Sequence, residues 1–540
     1  MHCLFGPLGR FLAHPVLHLA LVIVMACPHA RAGVTFRVSI DKSVHAGEAS
    51  GRLVVYLIGQ GSAVGPDPAD GPFFEDPQPM FGVDVRGITP GVPMIVDDTA
   101  TGFPAPLSEL TPGTYKVQAV LDMHRDNSSW RHEPGNLYSG VTTIKFIQGD
   151  PDRVIDLTLS KATIVEDEKK RSRDRGETIE ITSKLLSDFR GRQVKLRAGV
   201  VAPRDRDPAR AYPAIYEVPG FGGDHTSAFR MGGSFQRAAV NSSIGQLYSN
   251  SFWIVLDPES PNGHHLFANS ANNGPVADAL IKELIPAIEK KYNLIPQPSA
   301  RLLRGHSSGG WSTLWLATQY PETFGATWST SPDSVDFRKF QLIDLYKGGN
   351  AYYQSAKAKN GAGVATVSAD QPIPSYRLGE KEVMTILDEN RMEEVLGPGN
   401  TSGQQWDSWF AVFGPRGKDG NPAAAWDAKT GRIDHTIAEQ YRAYDIAALL
   451  RQQPEKYGPI FKQRVRIVIG DADNYYLNEA VSMLKQDVDK LNFIDLPEGV
   501  HGSITIVPGR DHSSIFGTKE IQSIPAEMAE HLKRNGHWPK

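Results

Sequence analysis

The chain has 540 residues, and its 57 lysines and arginines nearly balance its 61 aspartates and glutamates, which leaves a formal net charge of −4. This balance argues against a nucleic-acid binder, which normally carries a basic excess or a basic stripe. Apolar residues make up 40% of the chain, and one long apolar stretch lies at the N-terminus, so a protein with several membrane spans is excluded.

Residues 1–32 have the features of an export signal. An apolar core covers residues 19–26, and Ala30-Arg31-Ala32 is a small-x-small cleavage site. We therefore expect cleavage before Gly33 and a secreted or periplasmic protein. The alternatives are a retained membrane anchor, for which the apolar core is short, and a lipid anchor at Cys27. Both cysteines of the chain lie within this segment, so the mature protein would have no thiol and no disulfide.

Residues 33–160 are expected to form a small all-β domain. The runs Val34–Ile40 and 114–120 alternate apolar and polar residues, and turns rich in proline and glycine separate such runs. We interpret this region as an immunoglobulin-like β-sandwich. The mixed charges of residues 161–177 predict a solvated linker, and a catalytic domain is expected over residues 178–540.

From residue 178 onward, short apolar strands such as Ala214–Val218 and Phe252–Leu256 alternate with helical segments such as 275–290. This alternation predicts an α/β fold with a mostly parallel sheet, in which ligands bind beyond the carboxyl ends of the strands. Residues 332–464 form a long helical insert, which we expect to cover the site as a lid or to bury its aromatic residues in a core of its own. The aromatic residues in question are Trp406, Trp409, Phe410, Phe413 and Trp426.

The segment Gly305-His306-Ser307-Ser308-Gly309 contains the only G-x-S-x-G pattern of the chain. An apolar strand precedes it and the helix-compatible segment 311–317 follows it, which is the strand–turn–helix context of a nucleophile elbow. Such a turn exposes the serine hydroxyl at the start of a helix, whose positive end favours developing negative charge. The pattern predicts Ser307 as a nucleophile, and a purely structural glycine turn is the alternative.

A serine hydroxyl needs a general base, and in this arrangement a carboxylate and then a histidine follow the nucleophile along the chain. His512 comes directly after the predicted strand 504–507 and is the candidate base. The loop after the predicted strand 465–469 offers two carboxylates. We favour Asp473 as the partner that orients the imidazole, and Asp471 is the alternative.

The oxyanion of the transition state needs two N–H donors. Ser308, directly after the nucleophile, is expected to provide one of them. The glycine-rich loop after strand Ala214–Val218 is expected to provide the other, from Phe221 or Gly222.

Four further side chains follow predicted strands and are candidates for substrate binding, with hydrogen bonding inside their loops as the alternative: His264, His265, Asn269 and Asp333. Adjacent histidines cannot readily face one ion, and no other ligand spacing accompanies them. The sequence therefore predicts no metal site.

Together, the segments 219–223, 305–310, 320–325, 331–333 and 509–512 resemble the putative esterase (esterase D-like) family of α/β-hydrolases. The resemblance implies an α/β-hydrolase fold and cleavage of carboxylic esters through a Ser-His-Asp triad and an acyl-enzyme, without a cofactor. The implied substrate is a small-molecule or saccharide-linked ester. An acyltransferase of the mycolyltransferase type and a non-catalytic surface binding protein on a hydrolase scaffold are the alternatives.

Overall fold

The computed structural model describes residues 33–147, 153–164, 176–354, 357–359, 365–367, 370–496 and 501–538. The export signal expected over residues 1–32 and most of the charged linker lie outside the described residues. Within the described ranges, every helix is too short or too polar to span a lipid bilayer.

The N-terminal part, residues 33–164, is all-β and is called the β-domain here. Its strands are β1 (Val34–Ile40), β2 (Ala49–Gly59), β3 (Met80–Ile88), β4 (Met94–Val96), β5 (Thr101–Phe103), β6 (Gly113–Asp122), β7 (Leu137–Ser139), β8 (Thr142–Phe146) and β9 (Arg153–Ala162). Within the described residues they form one sheet in the order β4-β1-β9-β7-β6-β2-β3-β5, with β8 also paired to β6. The all-β prediction is confirmed, whereas the two separate sheets of an immunoglobulin-like sandwich are not, because hydrogen bonds join all nine strands.

The β-domain has two apolar faces. Alternation along β1 buries Phe36 and Val38 in a core that also contains Leu53 and Val55. The opposite face of the sheet carries Tyr56 and neighbouring apolar side chains, which pack against the insert described below. The sheet is therefore covered on both sides.

The second part begins with strands and helices that alternate as the sequence predicts. The strands are β10 (Glu177–Ser183), β11 (Val194–Val201), β12 (Ala214–Val218), β13 (Phe252–Leu256), β14 (Arg301–His306) and β15 (Ala326–Thr330). The helices are α1 (Lys184–Arg190), α2 (Ser227–Arg237), α3 (Ser243–Asn250), α4 (276–292, with a π-helical turn at Leu280–Leu284) and α5 (Ser308–Gln319).

The insert follows β15 and is less purely helical than expected. Its helices are α6 (Ile386–Leu396), α7 (Gln405–Phe413), α8 (His435–Tyr441), α9 (Ile446–Gln452) and α10 (Pro454–Arg464). Short strands form three antiparallel pairs within the described residues, β16 with β19 and the hairpins β17–β18 and β20–β21. Their ranges are β16 (Tyr353–Gln354), β17 (Lys357–Lys359), β18 (Ala365–Val367), β19 (Gln371–Pro372), β20 (Pro374–Leu378) and β21 (Lys381–Thr385).

The chain then returns to the second sheet with β22 (Val465–Gly470), α11 (Leu477–Asp489), β23 (Ser503–Val507) and α12 (Lys519–Arg534). Across the described residues the sheet has the order β10-β11-β13-β12-β14-β15-β22-β23, and all neighbours from β13 to β23 are parallel. The predicted mostly parallel α/β sheet is confirmed. Because parallel strands end at the same edge, the loops after β12, β14, β15, β22 and β23 meet there.

Candidate active site

Ser307 lies on a strained turn between β14 and α5. Its backbone has φ +56° and ψ −125°, a conformation that non-glycine residues rarely adopt. A Cβ atom at Gly309 would lie 1.9 Å from the carbonyl oxygen of Val218, and one at Gly305 would lie 2.2 Å from the carbonyl oxygen of Gly309. Glycine is therefore required on both sides of the serine, and the turn has the strand–turn–helix geometry of a nucleophile elbow.

His512 follows β23 and forms a short hydrogen bond with a buried carboxylate. Its Nδ1 lies 2.7 Å from Oδ2 of Asp473, which is fully buried. The other carboxylate oxygen of Asp473 accepts the backbone N–H groups of Tyr475 at 3.0 Å and Leu477 at 3.4 Å, at the start of α11. Asp473 thus orients the imidazole and is itself held in place by two backbone donors.

Asp471, the alternative carboxylate, has a different contact. Its Oδ1 accepts the backbone N–H of Gly509 at 2.7 Å, which ties the loop after β22 to the loop after β23. Asp471 therefore helps to shape the loop that carries His512, while Asp473 contacts the ring.

The electrostatic surroundings favour the protonated form of His512. Burial alone would lower its pKa, but the carboxylates of Asp473, Asp333 and Asp511 act in the opposite direction, and the net pKa is raised above the ordinary 6.5. The ring of His306 lies 4.5 Å from that of His512, between ring centroids. Burial, and then the charge on His512, hold the pKa of His306 well below its ordinary value, so this neighbour remains neutral.

Ser307 and His512 line the same cavity, which has a volume of about 250 Å³. The remaining lining residues are Phe74, Gly220, Phe221, His306, Asp333, Gln341, Glu389, Gln405, Trp409, Tyr475 and Leu477. They come from the β-domain, the loops at the carboxyl edge of the second sheet and the insert. Apolar surface from Phe74, Phe221, Trp409, Tyr475 and Leu477 lies beside convergent polar groups from the other side chains, a combination that is usual for small-molecule sites.

The glycine-rich loop after β12 lies directly against the nucleophile. A Cβ atom at Gly220 would lie 3.3 Å from the Cβ of Ser307, and Phe221 lines the cavity. Ser308 is the first residue of α5, so its N–H has no acceptor within the helix and is free to bind an oxyanion. Gly222 has φ +74° and faces a second cavity, of about 270 Å³, which lies between the β-domain and the rest of the chain.

Asp333 follows β15 and contacts the serine turn from the insert side. Its Oδ2 accepts hydrogen bonds from the Ser308 hydroxyl at 2.7 Å and from Nε1 of Trp409 at 2.8 Å. Its Oδ1 lies 3.5 Å from the Ser307 hydroxyl oxygen, which is a long hydrogen bond. Burial raises the pKa of Asp333 to about 6, although these donors act in the opposite direction.

The family of the chain follows from its sequence. A family model described as "Putative esterase" matches residues 192–516, which is more than half of the 540 residues. The chain belongs to the putative esterase family. It is a carboxylic ester hydrolase, and the matched range contains the serine turn, both loop carboxylates and His512.

Solved structures of several hydrolases resemble this esterase at low identity. A ferulic acid esterase is 12% identical, with a TM-score of 0.39, over 66% of this chain and 100% of its own. An S-formylglutathione hydrolase from Agrobacterium tumefaciens is 12% identical, with a TM-score of 0.35, over 67% and 97%. Est1E from Butyrivibrio proteoclasticus is 14% identical, with a TM-score of 0.31, over 63% and 96%. A comparison with curated proteins finds no match.

Three of the four substrate-binding candidates of the esterase form hydrogen bonds with backbone groups outside the cavity. Nε2 of His264 lies 3.0 Å from the carbonyl oxygen of Pro219, and Nδ1 of His265 accepts the N–H of Phe267 at 3.2 Å. The side-chain oxygen of Asn269 accepts two N–H groups at the start of α4. None of these three side chains lines the cavity that contains Ser307, whereas Asp333 does. In the described part of the chain, no group of three or more potential ligand side chains could hold a metal ion.

The aromatic patch of the insert is mostly buried, and one of its residues reaches the cavity. Trp406, Phe410, Phe413 and Trp426 are buried in a core that continues into the second sheet. Trp409 belongs to the same core, yet it also lines the cavity and donates to Asp333.

Several cavity residues were not anticipated from the sequence of the esterase. Tyr475 comes two residues after Asp473 and packs edge-on against His512, with 5.0 Å between ring centroids, so its position next to a candidate carboxylate was an available signal. Phe74 and Glu389 carry no comparable signal, because only tertiary packing brings the β-domain and α6 to the serine.

Proposed function

We propose that the protein cleaves carboxylic esters through Ser307 as nucleophile, His512 as general base and Asp473 as the residue that orients His512. The observation that supports this best is the 2.7 Å contact of Asp473 with His512, because His512 lines the same cavity as the strained Ser307. The proposal explains why Ser307 is held in an unfavourable backbone conformation.

In the proposed reaction, the Ser307 hydroxyl oxygen attacks the acyl carbon while its proton passes to His512. The N–H groups of Ser308 and Phe221 stabilise the oxyanion. The C–O bond to the alcohol then breaks, His512 returns the proton to the leaving oxygen, and an acyl-enzyme remains on Ser307. Water, deprotonated by His512, then attacks the acyl carbon. The bond from this carbon to the Ser307 oxygen breaks, His512 returns the proton to that oxygen, and the acid leaves. Asp473 stabilises the imidazolium in both halves of the reaction.

A labelling experiment tests the nucleophile. We expect a fluorophosphonate probe to label the wild type and Ser513→Ala, because Ser513 is exposed and does not line the cavity. Ser307→Ala is expected to lose labelling and to lower kcat on p-nitrophenyl acetate by about 10³-fold or more. Labelling and turnover that persist in Ser307→Ala would remove this serine from its proposed role.

The acceptor of the acyl group is proposed to be water rather than an alcohol. Quantifying free acid and transfer product from one ester, with and without added alcohols, tests this part of the proposal. Dominant transfer product at modest alcohol concentration would replace hydrolysis by acyl transfer, with the same residues in the same roles.

We also propose export, on the basis of the apolar core and cleavage site within residues 1–32. Expression of the full chain, followed by cell fractionation and N-terminal sequencing, is expected to give an exported protein that begins at Gly33. An uncleaved chain in the cytoplasm would contradict this part of the proposal.

A further inference from the structure

One aromatic wall of the cavity comes from the β-domain. Phe74 lies in the segment that connects β2 and β3 and lines the cavity together with Ser307 and His512. Its ring contacts Tyr376 and Tyr475 edge-on, with centroid distances of 6.2 Å and 6.4 Å. Phe74 is thus part of an aromatic cluster that extends to His512 through Tyr475.

The segment that carries Phe74 is held firmly to the β-domain. The backbone of Ala69 is hydrogen-bonded on both sides, since its N–H donates to Oε1 of Gln118 at 3.1 Å and its carbonyl accepts from Nε1 of Trp130 at 3.0 Å. Beyond Phe74, Oε1 of Gln78 accepts the N–H of Gly59 at 2.9 Å. Hydrogen bonds on both sides of Phe74 limit how far the ring can move.

The β-domain is in turn fixed to the insert, which contributes other parts of the cavity. Arg52 on β2 is 3% exposed, and its guanidinium donates to the carbonyl oxygens of Val395 at 2.9 Å and Glu394 at 3.2 Å, near the end of α6. Tyr56 and Trp130 belong to the same apolar cluster as residues of α6. The distance between Phe74 and the serine turn is therefore set by a packed interface.

We propose that Phe74 is a specificity-determining residue, through which the β-domain limits the size of the acyl group that the cavity accepts. The inference rests on the proposed function of Ser307. A cavity of about 250 Å³ is small for a site that must hold both the reacting ester and its substituents. Phe74, Phe221 and Trp409 form aromatic parts of its wall, and Phe74 is the one supplied by the β-domain. Removing the Phe74 ring opens the cavity toward the β-domain without touching the groups that bind the reacting atoms.

The test compares acyl chains of different length on matched variants. The wild type, Phe74→Ala, Phe74→Leu and Phe73→Ala are assayed on p-nitrophenyl acetate and p-nitrophenyl octanoate. Phe73 is the adjacent, similarly half-buried aromatic residue that does not line the cavity. We expect Phe74→Ala to raise the octanoate-to-acetate ratio of kcat/KM by about tenfold, mainly through KM, with Phe74→Leu intermediate and Phe73→Ala within about twofold of wild type.

Labelling by a small fluorophosphonate probe separates this inference from the proposed function, because it reports on the reactivity of Ser307 itself, and Phe73→Ala is expected to label as the wild type does. If Phe74→Ala labels and turns over acetate but its ratio is unchanged or lower, Phe74 does not limit the acyl group. If Phe74→Ala unfolds, the ratio in Phe74→Leu decides in the same way. Turnover that persists in Ser307→Ala would instead overturn the proposed function.

Discussion

At the scale of single residues, two carboxylates on different sides of the cavity act on one imidazole. Asp473 contacts Nδ1 of His512 directly, and Asp333 lies on the side of Ser307 and raises the pKa of His512 through space. In the proposed mechanism, the first contact orients the base, and the second raises the pH at which the base becomes available.

The contact with Asp473 predicts a large effect on turnover. We expect Asp473→Asn to lower kcat by about 10³- to 10⁴-fold, because an amide can hold the wrong tautomer of His512 and cannot stabilise the imidazolium. Asp471→Asn is the matched control, since Asp471 accepts from Gly509 rather than from His512. Steady-state kinetics on p-nitrophenyl acetate measures both, and equal losses in the two variants would contradict the assignment.

The position of Asp333 predicts a shift in the pH profile. His512 must be neutral to act as a base, so activity rises as the pH passes its pKa. Asp333→Asn removes a negative charge that raises this pKa, and we expect the acidic limb of the kcat/KM profile to move to lower pH. Profiles of kcat/KM between pH 5 and 9 measure the shift, with Asp471→Asn as the control. An acidic limb that stays at the same pH or moves to higher pH would refute the prediction.

For single residues, much of the candidate site can be predicted from the sequence. Glycine spacing around Ser307 and the chain order of carboxylate and histidine predict which residues the fold brings together. The choice between Asp473 and Asp471 depends on where each side chain points, which spacing alone does not determine. No local sequence pattern predicts that Phe74 lines the cavity, since it lies in a different domain and only packing brings it there.

At the scale of elements, the start of α7 is stabilised by a carboxyl group from the neighbouring helix α6. Glu393 on α6 accepts the N–H groups of Trp406 and Asp407, each at 2.9 Å. Asp407 accepts the N–H of Ser402 at 2.8 Å. Burial raises the pKa of Glu393 well above its ordinary value and that of Asp407 to about 7. The two helices are therefore joined by the carboxyl group of Glu393, which holds a proton more tightly than an exposed glutamate does.

This arrangement makes the stability of the insert depend on pH. Because the pKa of Glu393 is higher in the folded state, its contribution is complete below its ordinary 4.5 and is lost as the pH rises through the raised value. We expect Glu393→Gln to melt at a lower temperature than wild type at pH 5. At pH 8 we expect this difference in melting temperature to be smaller or reversed. Calorimetry across this range measures the difference, with the exposed Glu380→Gln as control. If the difference in melting temperature between Glu393→Gln and wild type does not change with pH, the raised pKa of Glu393 does not contribute to stability.

The sequence predicts the buried strands of the second sheet well, because runs such as those of β12 and β13 are apolar on both faces. Strand β10 ends at Ser183, although the apolar residues Leu185 and Leu186 follow in the sequence. Ser183 caps α1 by accepting the N–H of Leu186 at 3.1 Å, so the strand stops there. The hairpins of the insert were missed because strands of two to five residues leave almost no periodicity to detect.

At the scale of the whole molecule, the β-domain and the insert are joined by an interface that includes a buried cation. Arg52 donates to two carbonyl oxygens near the end of α6 and also contacts Asp84 on its own domain. The family match begins at residue 192, so this interface connects the family's catalytic region to a domain outside the match.

Replacement of Arg52 is expected to weaken this interface. Arg52→Ala leaves buried carbonyl oxygens without donors, and we expect a cost of about 1–3 kcal/mol in the free energy of unfolding. Arg37→Ala is the control, because Arg37 forms an exposed pair with Asp156, and such pairs contribute little to stability. Thermal unfolding of both variants measures the contrast. Equal melting temperatures for Arg52→Ala and wild type would show that the interface does not depend on this cation.

The order in which the cavity is assembled has a consequence for synthesis. Its walls come from segments spread between Phe74 and His512, and the imidazole is attached to the last strand of the second sheet. Domains tend to fold in the order in which they leave the ribosome. In the proposed mechanism, a nascent chain therefore carries the nucleophile for a long interval before its base exists, and esters in the producing cell meet an inert polypeptide until His512 has been synthesised and β23 has folded.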